Sequence, residues 1–276
     1  MVGYSLIFDN RNGIRATRGQ RIVLSQDFAG LGGDVKYART RIDATKYLSL
    51  PKDFVLSVHG EAGYIHPLAK NPGEGRDAIR LSDRFFGAQM RGFDIRGIGP
   101  RIQRLLYDSP TTLSTEGEPV TDAIGGRAYY MGRIELEIPV SASIRSLGLR
   151  PAAFIDIGSV FGVKKPILSN EPGICLGPVN ADPLIPRDIQ VLVAGGSGCN
   201  IGVDGIAGNA DDFVYQARTG FREFFLGNSP KPRLSIGVGV NWNSPFGPLR
   251  IDVAKALLKQ EGDETNFFSF NVGTQF

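Results

Sequence analysis

The stretch RLSIGVGVNW, residues 233–242, alternates apolar side chains with small or polar ones. Successive side chains of a β-strand point to opposite faces of a sheet, so this stretch predicts a strand with one apolar face. Residues 249–256 and 266–276 repeat the pattern, and Ile251 and Phe270 belong to their apolar faces. Three consecutive runs of this kind favour an antiparallel sheet with one apolar and one polar face.

Six earlier runs show the same alternation of apolar and polar residues. In chain order the predicted strands are residues 3–9, 20–28, 35–48, 53–64, 126–139, 150–160, 233–242, 249–256 and 266–276. Two connections are very long, residues 65–124 and 161–232, and they fall at alternate positions along the chain. They therefore lie on the same side of an up-and-down sheet. Long loops on one side and short turns on the other are typical of an outer-membrane β-barrel.

Composition agrees with a membrane barrel and excludes a protein that crosses the membrane with helices. Mean hydropathy is -0.08, and no stretch approaches the roughly 20 apolar residues of a spanning helix. Barrel strands alternate, so their average hydropathy stays near zero. The net charge is +3 with scattered basic residues, which gives no indication of a nucleic-acid partner. We therefore predict one all-β domain, residues 1–276, that crosses the membrane as an antiparallel up-and-down barrel.

The first long connection carries FFGAQMRGF at residues 85–93 and GIGPR at residues 97–101. This segment resembles a loop motif of the outer-membrane assembly and translocation superfamily, the bacterial surface antigen superfamily, and GIGPR is similar to its BamA-type members. The resemblance implies that the extracellular loop 65–124 folds into the barrel lumen, where carboxylates hold Arg91. A guanidinium offers a planar fork of donors to carboxylates. Gly92, before the aromatic Phe93, lets the backbone approach the wall closely.

Two strand motifs carry the carboxylates that the resemblance pairs with this arginine. In FIDIG, residues 154–158, alternation with Ile155 and Ile157 places Asp156 on the lumen face. In RIELE, residues 133–137, Glu135 lies on the same face by the same argument. The resemblance implies that Asp156 is the arginine's partner and Glu135 a second one. General polarity of a barrel lumen is the alternative for both.

The last strand and the turn before the penultimate strand also have counterparts in the family. Residues 243–248, NSPFGP, predict a tight turn because of their prolines and glycine. The final strand resembles the β-signal of outer-membrane barrels, which the assembly machinery reads, and a plain edge strand is the alternative. The residues that carry this resemblance are Phe268, Phe270, Val272, Gly273 and Phe276.

The reactive residue types indicate neither an enzyme nor a cofactor. Cys175 and Cys199 both lie in the second long extracellular connection and could form one disulfide in an oxidising compartment, or remain two thiols. His59 lies in a predicted strand and His66 just beyond its end. With two histidines, no zinc site and no nucleophile–histidine–acid set is evident. We predict no catalytic residue, no metal and no cofactor.

The resemblance covers nearly the whole chain and implies about nine C-terminal strands of a sixteen-stranded barrel. The family's POTRA domains and about seven strands have no counterpart in the 276 residues, and MVGYSLIFDN lacks the regions of a signal peptide. A nine-stranded sheet alone would expose unpaired edges to lipid. We therefore expect the chain to be part of a longer protein.

The implied function is the folding and insertion of barrel proteins in the outer membrane of a Gram-negative bacterium. The implied partners are unfolded barrel clients, the lipid bilayer, and accessory lipoproteins that bind through domains outside this chain. A related POTRA-barrel translocase for autotransporter or two-partner secretion is the first alternative, and a passive pore is the second. The GIGPR run at residues 97–101 favours the BamA type. A lumen filled by loop 65–124 argues against a pore.

Overall fold

A computed structural model describes most of the chain: residues 1–13, 16–30, 32, 35–69, 72–87, 89–107, 113–115, 119–171, 174–176, 191–192, 200–202, 212–214, 216–218, 220–244 and 247–272. Its strands are β1 (Val2–Asp9), β2 (Gly19–Ala29), β3 (Tyr37–Ser49), β4 (Val55–Pro67), β5 (Arg101–Leu106), β6 (Val120–Ala123), β7 (Ala128–Glu137), β8 (Leu149–Phe161), β9 (Asn170–Glu171), β10 (Ile174–Leu176), β11 (Val191–Leu192), β12 (Asn200–Gly202), β13 (Asp212–Val214), β14 (Gln216–Arg218), β15 (Phe221–Leu226), β16 (Arg233–Ser244), β17 (Gly247–Leu258) and β18 (Phe268–Val272). Two 3-10 turns, Pro51–Asp53 and Leu81–Asp83, and the short helix α1 (Ala142–Ser146) complete the described elements. Within these residues, none of the helices has the length and apolar character needed to cross a membrane.

Nine strands form one antiparallel sheet in the order β1-β2-β3-β4-β7-β8-β16-β17-β18. Each of the nine predicted strands corresponds to one strand of this sheet, and the predicted antiparallel up-and-down arrangement is confirmed. Both very long connections join strands that are neighbours, because β4 pairs with β7 and β8 pairs with β16. The strands β1 and β18 lie at the two ends of the order.

Alternation along the strands gives this sheet one apolar and one polar face. On the apolar face, Ile155 is 42 %, Val238 58 % and Phe270 54 % exposed. On the polar face, Asp156 and Asp252 are buried. Large apolar side chains on the exposed face, with charged ones on the covered face, are the pattern of barrel strands whose outer side contacts lipid.

The hydrophobic core lies between the polar face and the first long connection. Its members from the connection and from the strands are buried side chains that contact each other: Tyr37, Ile65, Ile79, Phe85, Met90, Phe93, Ile98, Tyr129, Met131 and Val160. The Phe85 and Tyr129 rings pack with their centroids 4.7 Å apart. This packing fixes the connection against β4, β7 and β8, and it positions the segment that follows Met90.

The described chain divides into two compact units, and the second comprises residues 102–122 and 167–225. Most of β5, β6, β9 and β15 lies there, in a four-stranded sheet of order β6-β5-β15-β9. Within this unit, Arg104 donates to Glu223 at 2.9 Å. None of the short strands in the two long connections was predicted from the sequence. Strands of two to six residues contain too little alternation for a sequence pattern to reveal them.

Candidate functional site

The Arg-Gly-Phe segment (residues 89–101) lies on the polar face of the nine-stranded sheet, where Arg91 makes its main charged contact. The Arg91 Nε and Nη2 atoms donate to the two carboxylate oxygens of Asp156 at 2.9 and 2.6 Å. The Arg91 backbone N–H donates to the same carboxylate at 3.3 Å. Both side chains are buried. Parallel N–H···O bonds from one guanidinium bind a carboxylate strongly and fix its orientation.

Glu135 on β7 connects this pair to β17. The Arg91 Nη1 atom donates to Glu135 at 2.6 Å. From β17, Arg250 donates to both Glu135 oxygens at 2.8 and 3.2 Å. The Arg250 Nε atom also donates to Asp252 at 2.9 Å. One loop arginine is thereby tied to β7, β8 and β17 at once.

These side chains form what we call the arginine–carboxylate cluster: Arg91, Arg133, Glu135, Asp156, Arg250 and Asp252. Its formal charges cancel, since it contains three arginines and three carboxylates. Arg133 contributes a donor to Asp156 at 3.3 Å, and the guanidinium carbon of Arg91 lies 3.3 Å from the centre of the Phe154 ring. A buried charge is tolerated when it is paired and hydrogen-bonded, and an aromatic face adds a cation–π contact.

Gly92 and Phe93 bring the backbone of the segment close to the sheet. Gly92 has φ +86, and a Cβ added there would lie 3.0 Å from the Ser235 Cβ and 3.4 Å from the Ala254 Cβ. A side chain at this position would be strained by its backbone and by its neighbours. Phe93 is buried in the hydrophobic core. The motif therefore places a charge, a close approach and an apolar anchor at three successive residues.

The segment also forms a short backbone ladder with the connection between β17 and β18. The Asp94 N–H donates to the Glu264 carbonyl at 3.1 Å, and the Glu264 N–H donates to the Gly97 carbonyl at 2.9 Å. The Asn266 N–H donates to the Gly92 carbonyl at 3.3 Å. This contact continues to the last strand, because Asn266 lies two residues before the start of β18.

A buried ion pair anchors the same connection at Asp263, the residue before Glu264. Arg233, the first residue of β16, donates to the two oxygens of Asp263 at 2.9 and 3.1 Å, and neither side chain is exposed. Arg233 also donates to the Ser159 hydroxyl at 2.7 Å. The connection is thereby fixed to β8 and β16 as well as to the Arg-Gly-Phe segment.

Comparison with known proteins agrees with this geometry. Residues 1–276 match the Omp85 superfamily domain. The chain belongs to the Omp85 superfamily. Over 277 aligned residues it is 29 % identical to "Outer membrane protein assembly factor BamA" from Neorickettsia risticii (strain Illinois), covering 100 % of this chain. It is 25 % identical over 263 residues to the protein of the same name from Neisseria meningitidis serogroup B (strain ATCC BAA-335 / MC58), covering 94 % of this chain.

The Omp85 chain is shorter than these relatives, because it spans 27 % and 26 % of their lengths. Among solved structures it is similar to BamA from Haemophilus ducreyi lacking POTRA domains 1-3, with a TM-score of 0.56 and 20 % identity. That match covers 97 % of this chain and 41 % of the other. At this identity the likeness establishes the fold. The resemblance to BamA-type barrels is confirmed.

In this Omp85 chain, the structure brings together Arg91, Glu135 and Asp156, the three charged residues that the sequence motifs singled out. Sequence reasoning did not assign Arg250 and Asp252 to the same cluster. Alternation along residues 249–256 did place both on the polar face. What was missing was the register between strands, which sets Asn241 opposite Arg250 and Gly239 opposite Asp252.

The remaining predicted residues of the Omp85 chain are only partly described. Phe268, Phe270 and Val272 project from the apolar face of β18 and are exposed. Gly273 and Phe276 lie outside the described residues, so the β-signal stays a prediction. The same holds for the disulfide, because Cys199 also lies outside them.

Proposed function

We propose that the full-length protein to which this chain belongs folds and inserts β-barrel proteins into the outer membrane of a Gram-negative bacterium, without enzymatic chemistry. The observation that carries the proposal is the bidentate Arg91–Asp156 pair, which holds the Arg-Gly-Phe segment on the polar face. Both curated relatives are named outer membrane protein assembly factor.

The arrangement suits a scaffold that accepts strands more than it suits an open channel. The segment covers the polar face at β7, β8 and β17, so it occupies space through which solutes would pass. The strand β18 lies at the end of the sheet order and pairs with β17. A strand at a sheet edge offers backbone donors and acceptors to an incoming strand. We propose that unfolded barrel clients are received by such strand addition.

The proposed surroundings follow from the two faces of the sheet. Exposed apolar side chains such as Val238 and Phe270 suit contact with lipid acyl chains, so the bilayer is a proposed partner. Accessory lipoproteins are proposed to bind other parts of the full-length protein. Nothing in the net charge of +3 favours a nucleic acid.

The test is reconstitution of the full-length protein in liposomes with a urea-denatured client barrel. Client folding is measured as the gain of protease-resistant, heat-modifiable barrel over time. We expect wild-type protein to accelerate folding and Arg91→Ala to remove most of that acceleration. The matched control is Arg11→Ala, since Arg11 pairs with Asp9 in a solvent-exposed bridge and exposed pairs contribute little.

Two outcomes would favour the other family activities. Transport of an unfolded passenger across the liposome membrane, without folding of the client barrel, would indicate a translocase. Ion conductance that is independent of any client, with no acceleration of folding, would indicate a passive pore. Either result would overturn the proposed insertase activity.

A further inference from the structure

Three potential metal ligands meet on the polar face at β3 and β4, and the proposed function uses none of them. Asp43 belongs to β3, and His59 and Glu61 belong to β4. One ligand atom from each residue lies within 4.8 Å of the other two. Sequence spacing did not indicate this group, because Asp43 comes from a neighbouring strand and only the register brings it opposite Glu61.

The imidazole of His59 is oriented as a metal ligand would be. Thr45 lies opposite His59 in the register, and its hydroxyl oxygen is 2.9 Å from His59 Nδ1. When Nδ1 carries the proton and donates to this hydroxyl, the lone pair of Nε2 is free. That atom lies 3.8 Å from the Asp43 carboxylate. A hydrogen bond at one ring nitrogen commonly fixes the tautomer that binds metal through the other.

The two carboxylates of the group lie opposite each other, with Arg133 opposite His59 on the next strand. Asp43 and Glu61 are direct cross-strand partners, and like charges in that position destabilise a sheet. Glu61 Oε2 accepts a long hydrogen bond of 3.4 Å from the Tyr129 hydroxyl. Glu61 Oε1 is buried and has no hydrogen-bond partner among the described residues. A buried carboxylate oxygen without a donor is costly, and a cation between the two acids would relieve both problems.

Arg21 forms an ion pair with one oxygen of Asp43. Its Nη1 atom is 3.7 Å from Asp43 Oδ1, and the side chains are partly exposed. The other oxygen, Asp43 Oδ2, is the one that faces His59 Nε2. One ligand atom of each of the three residues therefore lies within 4.8 Å of the other two, on the side of Asp43 Oδ2.

We propose that Asp43, His59 and Glu61 bind one divalent transition-metal cation, with Zn²⁺ as the preferred ion. One imidazole nitrogen and two carboxylate oxygens are ligands that Zn²⁺ accepts, and they leave a further position for water. An imidazole ligand favours such a cation over Mg²⁺ and Ca²⁺, which prefer oxygen alone.

The test is calorimetric titration of Zn²⁺ into chelator-treated full-length protein in detergent micelles. We expect one saturable site that Mg²⁺ does not occupy, and loss of that site in His59→Gln and Glu61→Gln. Thr45→Val should weaken Zn²⁺ binding by about 10- to 100-fold, because the orienting hydroxyl is removed. His66→Gln is the matched control, since it alters the second of the two histidines, which is exposed and outside the group.

Circular dichroism of each variant shows whether its strands have formed, so that loss of binding is scored only in folded protein. Absence of saturable Zn²⁺ binding to wild-type protein would overturn the proposal. Equal loss of binding in His59→Gln and His66→Gln would also overturn it, because the site would then not depend on this geometry. A simple ion pair between His59 and Asp43 would remain as the explanation of their contact.

Discussion

Arg91 is a buried charged residue with several hydrogen-bonding and aromatic partners. Its guanidinium reaches Asp156 and Glu135 and lies over the Phe154 ring. The loss of hydration on burying such a pair offsets much of its attraction, so we interpret the cluster as a device that specifies where the segment docks. Removing Arg91 takes the shortest donors from Asp156 and leaves that carboxylate with the longer contact to Arg133 at 3.3 Å.

Arg91→Ala should release the Arg-Gly-Phe segment from the polar face. Breaking a buried pair by removing one partner costs about 3–5 kcal/mol, since Asp156 would be left with the 3.3 Å contact to Arg133. Limited proteolysis of the full-length protein should then show new cleavage within residues 89–101. Arg11→Ala, at an exposed pair, should leave the cleavage pattern unchanged. An identical pattern for the two variants would contradict the docking role of Arg91.

A double-mutant cycle should show that Arg91 and Asp156 act together. The unfolding free energies of Arg91→Ala, Asp156→Ala and the double variant should deviate from additivity by about 0.5–3 kcal/mol, as is usual for residues in one network. Denaturant unfolding in detergent provides the measurement. Strict additivity would mean that the hydrogen bonds of 2.9 and 2.6 Å between them contribute no coupling.

Gly92→Ala should loosen the segment more than a backbone effect alone can explain. Gly92 has φ +86 and Ser235 stands 3.0 Å from its added Cβ, whereas Gly32 has φ +82 and nothing within 4 Å. Both substitutions pay a similar cost of about 1–2 kcal/mol for left-handed backbone. The difference between the thermal denaturation midpoints of the two variants measures the steric contribution at Gly92. Equal midpoints would show that close approach to β16 is unimportant.

Among the secondary-structure elements, the least expected contact is the ladder between the segment and the β17–β18 connection. Glu264 both accepts from Asp94 and donates to Gly97. Because this connection is also anchored by the buried Arg233–Asp263 pair, the segment and the start of β18 belong to one hydrogen-bonded assembly. Movement of the Arg-Gly-Phe segment should therefore displace the start of β18, and movement of β18 should displace the segment.

Gly97→Ala should break this ladder. An added Cβ would lie 2.5 Å from the Glu264 carbonyl oxygen and 2.7 Å from the Asp94 nitrogen. Amide hydrogen exchange should therefore quicken at Asp94 and Glu264. Gly60→Ala serves as control, because the nearest atom to its added Cβ is 4.0 Å away. Unchanged protection at Glu264 in Gly97→Ala would show that the ladder does not hold the connection.

For the molecule as a whole, the defining property of the nine-stranded sheet is the contrast between its two faces. Exposed apolar side chains cover one face, and buried charges and the Arg-Gly-Phe segment lie on the other. In water the apolar face would be a large exposed hydrophobic patch, and such patches mark contact with a partner or a membrane. Its chemistry agrees with lipid as the surrounding medium.

A charge should be tolerated on one face of β18 and rejected on the other. Phe270 lies on the apolar face and its neighbour Ser269 on the polar face, opposite Asp252. Phe270→Arg should lower the unfolding free energy in bilayers by about 2–4 kcal/mol if this position lies near the midplane. Ser269→Arg should cost much less, and equal costs in a denaturant titration would contradict the assignment of faces.

The amino-acid pattern predicted the nine strands of the large sheet, the two faces of each strand and the Arg-Gly-Phe motif. Side chains alternate with a period of two in every strand. Asp156 therefore shares a face with Phe154 wherever the strand 154–158 lies in the sheet. The RGF motif at residues 91–93 and the carboxylates at 135 and 156 were likewise visible. Their pairing required a family resemblance, because spacing along the chain says nothing of distance between strands.

The neighbours of each strand and their register became known from the folded structure. Arg250 reaches Glu135 over a separation of 115 residues, and Asp43 meets Glu61 only because β3 and β4 align in one register. The same holds for the Glu264 ladder and for the short strands of the second unit. These contacts depend on hydrogen bonds between distant segments, and a one-residue slip would turn every side chain of a strand to the other face.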